Sequence, residues 1–166
     1  MTSFELDAVD RRILDALQDD CSISNQELAK RVHTSTATCL RRVKRLVDSG
    51  VIERRIAILA PDVVRSGAVT GLRPGITAVV EVTLDRQAAE LQAAFEQRAV
   101  ADPDVQQCYR VTPGPDFVLI AYVSATEAYQ ALVQRLLTAD ANVRNVRTYF
   151  SIRRAKFEPR IPVGEP

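Results

Sequence analysis

Apolar residues recur along this 166-residue chain first with a helical period and later with the two-residue period of strands. In LDAVDRRILDALQDD, Leu6, Val9, Ile13, Leu14 and Leu17 fall at helical spacing and predict a first helix. CSIS breaks that pattern. Ser24 with Glu27 gives the S-x-x-E signature of a capping box and opens NQELAKRV, a short helix with Leu28, Ala29 and Val32 on one face. A helix of barely two turns needs neighbours to be stable. A third helix follows in TSTATCLRRVKRL, where Thr34 or Ser35 supplies the N-cap oxygen. Ala37, Leu40, Val43, Leu46 and Val47 make its apolar stripe, and Gly50 suits a left-handed C-cap. VIERRIAIL is rich in β-branched residues and predicts strand, in the form of a small two-stranded wing. Three short helices, the last of them basic, followed by strand, are the pattern of a winged helix-turn-helix.

APDVVRSGAVTGLRPG then interrupts both periods with Gly and Pro and predicts a linker and loop over 61–75. From Ile76 the elements alternate. ITAVVEVTL places Val80, Val82 and Leu84 on one face of a strand. RQAAELQAAFEQRAVA aligns Ala88, Leu91, Phe95 and Ala99 on a helix. VQQCYRV is a second strand, TPGPD a turn, and FVLIAYV a strand apolar on both faces. TEAYQALVQRLLTAD carries Tyr129, Leu132, Val133, Leu136 and Leu137 at helical spacing, and VRNVRTYFSIR closes as a strand with Val146, Thr148, Phe150 and Ile152 on one face. The order is βαββαβ, a ferredoxin-like split unit. Its two helices cover one face of the sheet, so the two-faced FVLIAYV strand calls for a cover on the other. A second copy of the same domain is the economical one. The expected class is α+β: a DNA-binding domain over 1–60, a linker over 61–75, and a ferredoxin-like domain over 76–166.

Charge sharpens the first domain. The chain as a whole has a net charge of +1, but residues 34–55 carry six basic residues against Asp48 and Glu53, whereas 61–166 carry 12 of each sign. Positive charge gathered on one helix favours phosphate contacts. Ser35, Thr36 and Thr38 stand at the helix start, where small hydroxyl residues approach base edges closely. Arg41, Arg42, Lys44 and Arg45 stand where side chains grip phosphates or a guanine edge. The alternative, a solvated basic face, is outweighed by the helix context and the hydroxyl-rich start.

These segments resemble the leucine-responsive and asparagine-synthetase regulator (Lrp/AsnC) family of prokaryotic transcription factors. The matching positions are Leu6, Asp7, Asp10, Ile13, Leu14, Leu17 and Gln18, then Glu27, Leu28, Ala29 and Val32, then Ser35, Arg42, Val43, Leu46, Gly50, Val51 and Ile52. The resemblance implies a C-terminal regulation-of-amino-acid-metabolism (RAM) domain that dimerises and binds an effector. In that domain the family often shows V-T-G-x-x-D in the loop between the second and third strands, a loop that helps form an amino-acid site at subunit interfaces. Val111, Thr112, Asp116 and Phe117 match; Pro113 takes the usual glycine's place, with Gly114 one residue later. Proline fixes φ and removes an N–H donor, so the pocket is altered there. Thr112, Gly114, Asp116 and Thr148 are the effector residues the resemblance implies. TPGPD also reads as a plain hairpin turn, and Thr148 as a packing residue.

The resemblance implies partners as well: double-stranded DNA with a pseudo-palindromic operator, an amino-acid effector, and a homodimer that assembles further, toward an octamer. Two other readings stand beside it. One is an architectural DNA-binding protein with no effector. The other is an enzyme like the sirohaem decarboxylases of similar fold, which the lack of any histidine after His33 opposes. No nucleotide-binding glycine motif occurs, and neither cofactor nor metal is expected. His33 beside Cys39 as a nucleophile pair is set against a turn histidine near phosphate. The polar start MTSFELDAVDRR is no signal peptide, no apolar run is long enough to span a membrane, and the three cysteines read as reduced thiols; a cytoplasmic location is expected.

Overall fold

The computed structural model describes residues 5–164; the first four residues of the polar start and the last two of the chain lie outside it. The chain divides into two compact units. One comprises the residues up to Ile58 together with those from Lys156 onward, the other Leu59–Ala155.

The helical unit contains α1 (Ala8–Asp19), α2 (Asn25–Arg31) and α3 (Thr36–Asp48). Each begins on a side-chain cap. Asp7 accepts from the Val9 and Asp10 N–H groups at 2.9 Å, and Asp10 reaches back to the Asp7 N–H, so the reciprocal capping box forms on α1. On α2 only the Ser24 half forms, accepting from Glu27 N–H at 3.2 Å. Ser35 caps α3 through Thr38 N–H. The turn from α2 to α3 puts His33 at φ 54°, with Thr34 N–H returning to the Ala29 carbonyl at 2.9 Å. This left-handed helix end usually falls to glycine. The core of the unit joins Ile13, Leu14, Leu28, Ala29, Val32, Cys39 and Leu46.

The expected wing does not form. Residues 53–60 have no strand partner among the described residues, and Ile56, Ile58 and Leu59 are 59%, 51% and 60% exposed. β-branched residues favour an extended backbone, but a strand exists only where another edge accepts its hydrogen bonds.

The C-terminal boundary also differs from expectation. Residues 156–164 leave the sheet unit and run along α1. The Gln18 side chain bonds both the N–H and the carbonyl of Ile161, Arg160 bridges Asp15 and Asp19, and Val163 packs on the helical core.

The sheet unit opens with a short helix inside the expected loop, α4 (Pro61–Arg65), with proline at its first position and Val64 buried. Then come β1 (Ile76–Leu84), α5 (Ala89–Ala101), β2 (Val105–Arg110), β3 (Phe117–Val123), α6 (Thr126–Leu132), a π-helical continuation over Val133–Thr138, and β4 (Val143–Phe150). The four strands are antiparallel in the order β2-β3-β1-β4, the expected ferredoxin-like βαββαβ arrangement. Register follows the apolar alternation: Val80 opposes Leu119 and Thr148, and Val82 opposes Phe117 and Val146. The even positions of β1 and the odd positions of β3 face α5 and α6, with Phe95 and Phe117 ring centroids 4.8 Å apart. Ile152 falls beyond β4 and is exposed, not on its face. Val79, Val118, Ile120 and Tyr122 on the other face are only half-buried. Gly75 precedes β1 where a Cβ would lie 2.6 Å from the Tyr122 ring, so no larger residue fits without displacing that ring.

Candidate DNA-binding helix and effector loop

The face that α3 turns inward is not the one its sequence suggests. Cys39, Arg42 and Leu46 point into the unit, Val43 is half-buried, and Ala37, Leu40 and Val47 are exposed. Arg42 therefore lies on the packing face, and α1 supplies its partners. Its guanidinium donates to Asp7 at 2.6 Å and to Asp10 at 2.9 Å, and Arg45 donates to the other oxygen of Asp10. Asp10 has no exposed surface, and the Arg42 side chain is 20% exposed. A buried carboxylate needs paired charge, and two guanidiniums provide it here. The Asp10 N–H and then Arg42 hold the Asp7 carboxyl at about 2, and the same two carboxylates raise the Arg42 pKa. Arg42, expected among the DNA contacts, is instead the bolt between α1 and α3.

The remaining expected residues divide. Thr36, Arg41 and Lys44 are exposed along with Ala37 and Leu40, and these form the outward face of the helix. Ser35 is committed to the cap, and its hydroxyl also meets that of Thr38 at 2.9 Å. The Thr36 carbonyl accepts from the Asn25 amide of α2. Arg45 is half-exposed and shared with Asp10. Ala37 and Leu40 went unrecognised as surface positions because apolar residues at steps of three look like packing. The signal for the true inner face was on α1, where D-x-x-D carries a second carboxylate that must find a cation. Behind α3 is a hollow of about 440 Å³ lined by Leu40, Val43, Val47, Leu28 and Ile52. His33 is exposed in its turn while Cys39 is buried, its thiol pushed up by burial, so the two form no nucleophile pair.

In the sheet unit the β2–β3 loop gathers three of the four expected effector residues. Thr112, Gly114 and Asp116 line a cavity of about 350 Å³ with Arg110, Gln87 and Gln92. Gly114, at φ 124°, supplies the positive φ one residue after Pro113. Asp116 is also structural: its Oδ2 accepts from Leu84 N–H at 2.7 Å beside the β1 irregularity, and its own N–H donates to the Val82 carbonyl. Thr148 is not with them. β4 is the edge strand on the far side from β2, and the Thr148 hydroxyl is bonded to Tyr129. Gln87, Gln92 and Arg110 were not singled out from sequence because no motif joins their two segments, the start of α5 and the end of β2, to the loop. Among the described residues no cluster of His, Cys, Asp or Glu is suited to a metal ion, and no helix is long and apolar enough to cross a membrane.

Two family models match the chain, a winged helix-turn-helix DNA-binding domain over residues 6–53 and an Lrp/AsnC ligand-binding domain over residues 77–161. The leucine-responsive regulatory protein of Rhizobium meliloti is 38% identical over 152 residues, covering 92% of each chain. The Bkd operon transcriptional regulator of Pseudomonas aeruginosa is 34% identical over 149 residues, covering 90% of this chain and 92% of its own. Among solved structures, an AsnC-family regulator from Agrobacterium tumefaciens superposes with a TM-score of 0.78 at 30% identity, covering 95% of this chain and 97% of its own. A transcriptional regulator from Neisseria meningitidis, solved in complex with L-Met, does so with a TM-score of 0.77 at 28% identity and the same coverage.

Proposed function

Since the chain belongs to the Lrp/AsnC family of DNA-binding transcriptional regulators, we propose that its operator is read by the outward face of α3 and that its effector is an amino acid held at the β2–β3 loop. Thr36 and Ala37 approach base edges in the major groove, and Arg41 and Lys44 grip a guanine edge or phosphates. Thr38 and Ser35 shape the helix start, and Arg42 sets the angle of α3 on α1 without touching DNA. The observation that carries this reading is the separation of the basic residues, Arg41 and Lys44 outward and Arg42 locked onto Asp10.

Effector binding is supported by the cavity that Thr112, Gly114 and Asp116 line together, and by the methionine complex of the Neisseria regulator. An effector acts on DNA binding only through different affinity for two states of the protein. A dimer is supported by the uncovered sheet face, where Val79, Val118, Ile120 and Tyr122 form an apolar strip that a second copy would bury. Two copies place two α3 helices on the half-sites of a pseudo-palindrome, and further assembly toward an octamer extends the DNA contact. Such a protein acts in the cytoplasm, with the chromosome.

The test uses an operator selected from random duplexes and fluorescence anisotropy. Arg41→Ala weakens binding by about 1–3 kcal/mol at unchanged thermal stability. Unchanged affinity would remove the outward face from the reading. Selected sites that bind less than about 10³-fold tighter than random DNA would favour an architectural role instead.

A further inference from the structure

We propose that the cavity at the β2–β3 loop selects an amino acid whose side chain ends in a carboxamide or a carboxylate, and discriminates against the branched aliphatic side chain of leucine. The inference rests on the loop being the effector site and adds the chemistry of what it takes.

Polar groups set the character of this cavity. Asp116 is 7% exposed, and its Oδ2 is committed to Leu84 N–H. Its Oδ1 has no hydrogen-bond partner among the described residues, and the side chain lines the cavity. A carboxylate oxygen left open to the cavity in this way, on a side chain otherwise buried, is an anchor for an ammonium group, which every free amino acid carries.

Two amides also line the cavity. Gln87, exposed, precedes α5 by two residues, Gln92, half-buried, lies in its first turn, and both amides are open to the cavity and its water. Arg110 closes the cavity from the end of β2. Glu96 and the ring of Phe117, 5.7 Å from the guanidinium carbon, fix it in place. The apolar lining is limited to Val111 and Pro115. An aliphatic ligand side chain entering here would strip water from both glutamine amides and return no hydrogen bond. A carboxamide or carboxylate would pair with them and with Arg110. Thr112 and the loop amide of Gly114 remain for the ligand's own α-carboxylate.

The test is calorimetric titration of the full chain with each of the twenty amino acids, among which glutamine, glutamate, asparagine, aspartate and leucine decide the selectivity. The expected result is that the best of the four polar amino acids binds at least about tenfold tighter than leucine. The double variant Gln87→Leu/Gln92→Leu reduces that preference severalfold. Asp116→Asn keeps an oxygen for Leu84 N–H and weakens all five ligands alike. Leucine binding as tightly as the polar ligands, or tighter, overturns the inference and leaves an amino-acid effector standing. A preference untouched by the double variant likewise overturns it, since the selectivity then lies elsewhere. Binding by none of the twenty amino acids overturns the effector reading itself.

Discussion

In the sheet unit every buried residue of β1 and β3 is apolar: Ala78, Val80, Val82 and Leu84 on one strand, Phe117, Leu119, Ala121 and Val123 on the other. Its Asp102–Arg135 ion pair sits at the end of α5, outside that cluster. In the helical unit Asp10 is as fully buried as Ile13 or Leu46, and two arginines of α3 close on it. The first unit is held by contacts that scale with buried area and care little for direction. The second adds a charged clasp in which each partner's burial is tolerable only while the other is present. One helix pair thus depends on electrostatics in a way the four-stranded sheet does not.

The strongest test of that contrast is Arg42→Ala. It strands much of the Asp10 charge and costs about 3–5 kcal/mol in the helical unit, read as lost hydrogen-exchange protection in α1 and α3 with β3 unchanged. Loss spread evenly over both units would break the comparison. The double variant Asp10→Leu/Arg42→Leu recovers most of that loss, because a paired charge replaced by apolar volume is often neutral.

Leu119→Ala follows, at about 2–4 kcal/mol, with the loss confined to the sheet unit and the same at pH 5 and pH 8. A pronounced pH dependence there would mean that the sheet core also leans on charge.

The smallest effect is in acid. Asp7 titrates at about 2 in the fold, against roughly 4 when unfolded. A depressed carboxyl stabilises the fold while ionised. Its contribution is full above pH 4 and disappears as pH falls through about 2. Asp7→Asn keeps an oxygen for the cap and loses the charge facing Arg42. Urea midpoints measured from pH 5 to pH 2 then fall less steeply than in the parent chain; an equal slope would take Asp7 out of the acid response.

The same contrast explains what could be read from sequence. The sheet unit was legible because its alternation is strict: Val80, Val82 and Leu84 were expected on one face and lie there. In α3 the apolar rhythm misled, since Leu40 is 60% exposed and the charged Arg42 takes an inner position. Polarity alone cannot distinguish a guanidinium that meets solvent from one that meets a buried carboxylate on another helix. That Thr112, Gly114 and Asp116 gather at one cavity was legible because they lie close in sequence. Gln87 and Gln92 reach the cavity only because β1 runs back beside β3 and delivers α5's first turns there. The expected wing is missing because strands are pairwise objects, and residues 53–60 have no partner edge among the described residues.

The segment that returns to α1 has a temporal consequence. A ribosome delivers residues 5–58 long before Arg160, Ile161 and Val163, so the nascent DNA-binding unit waits, without its strap, while the whole sheet unit is synthesised. A product cut short before residue 156 would carry α3 but lack the lining of α1, and translation itself thus delays a finished DNA-binding unit until the ligand-binding domain has been made.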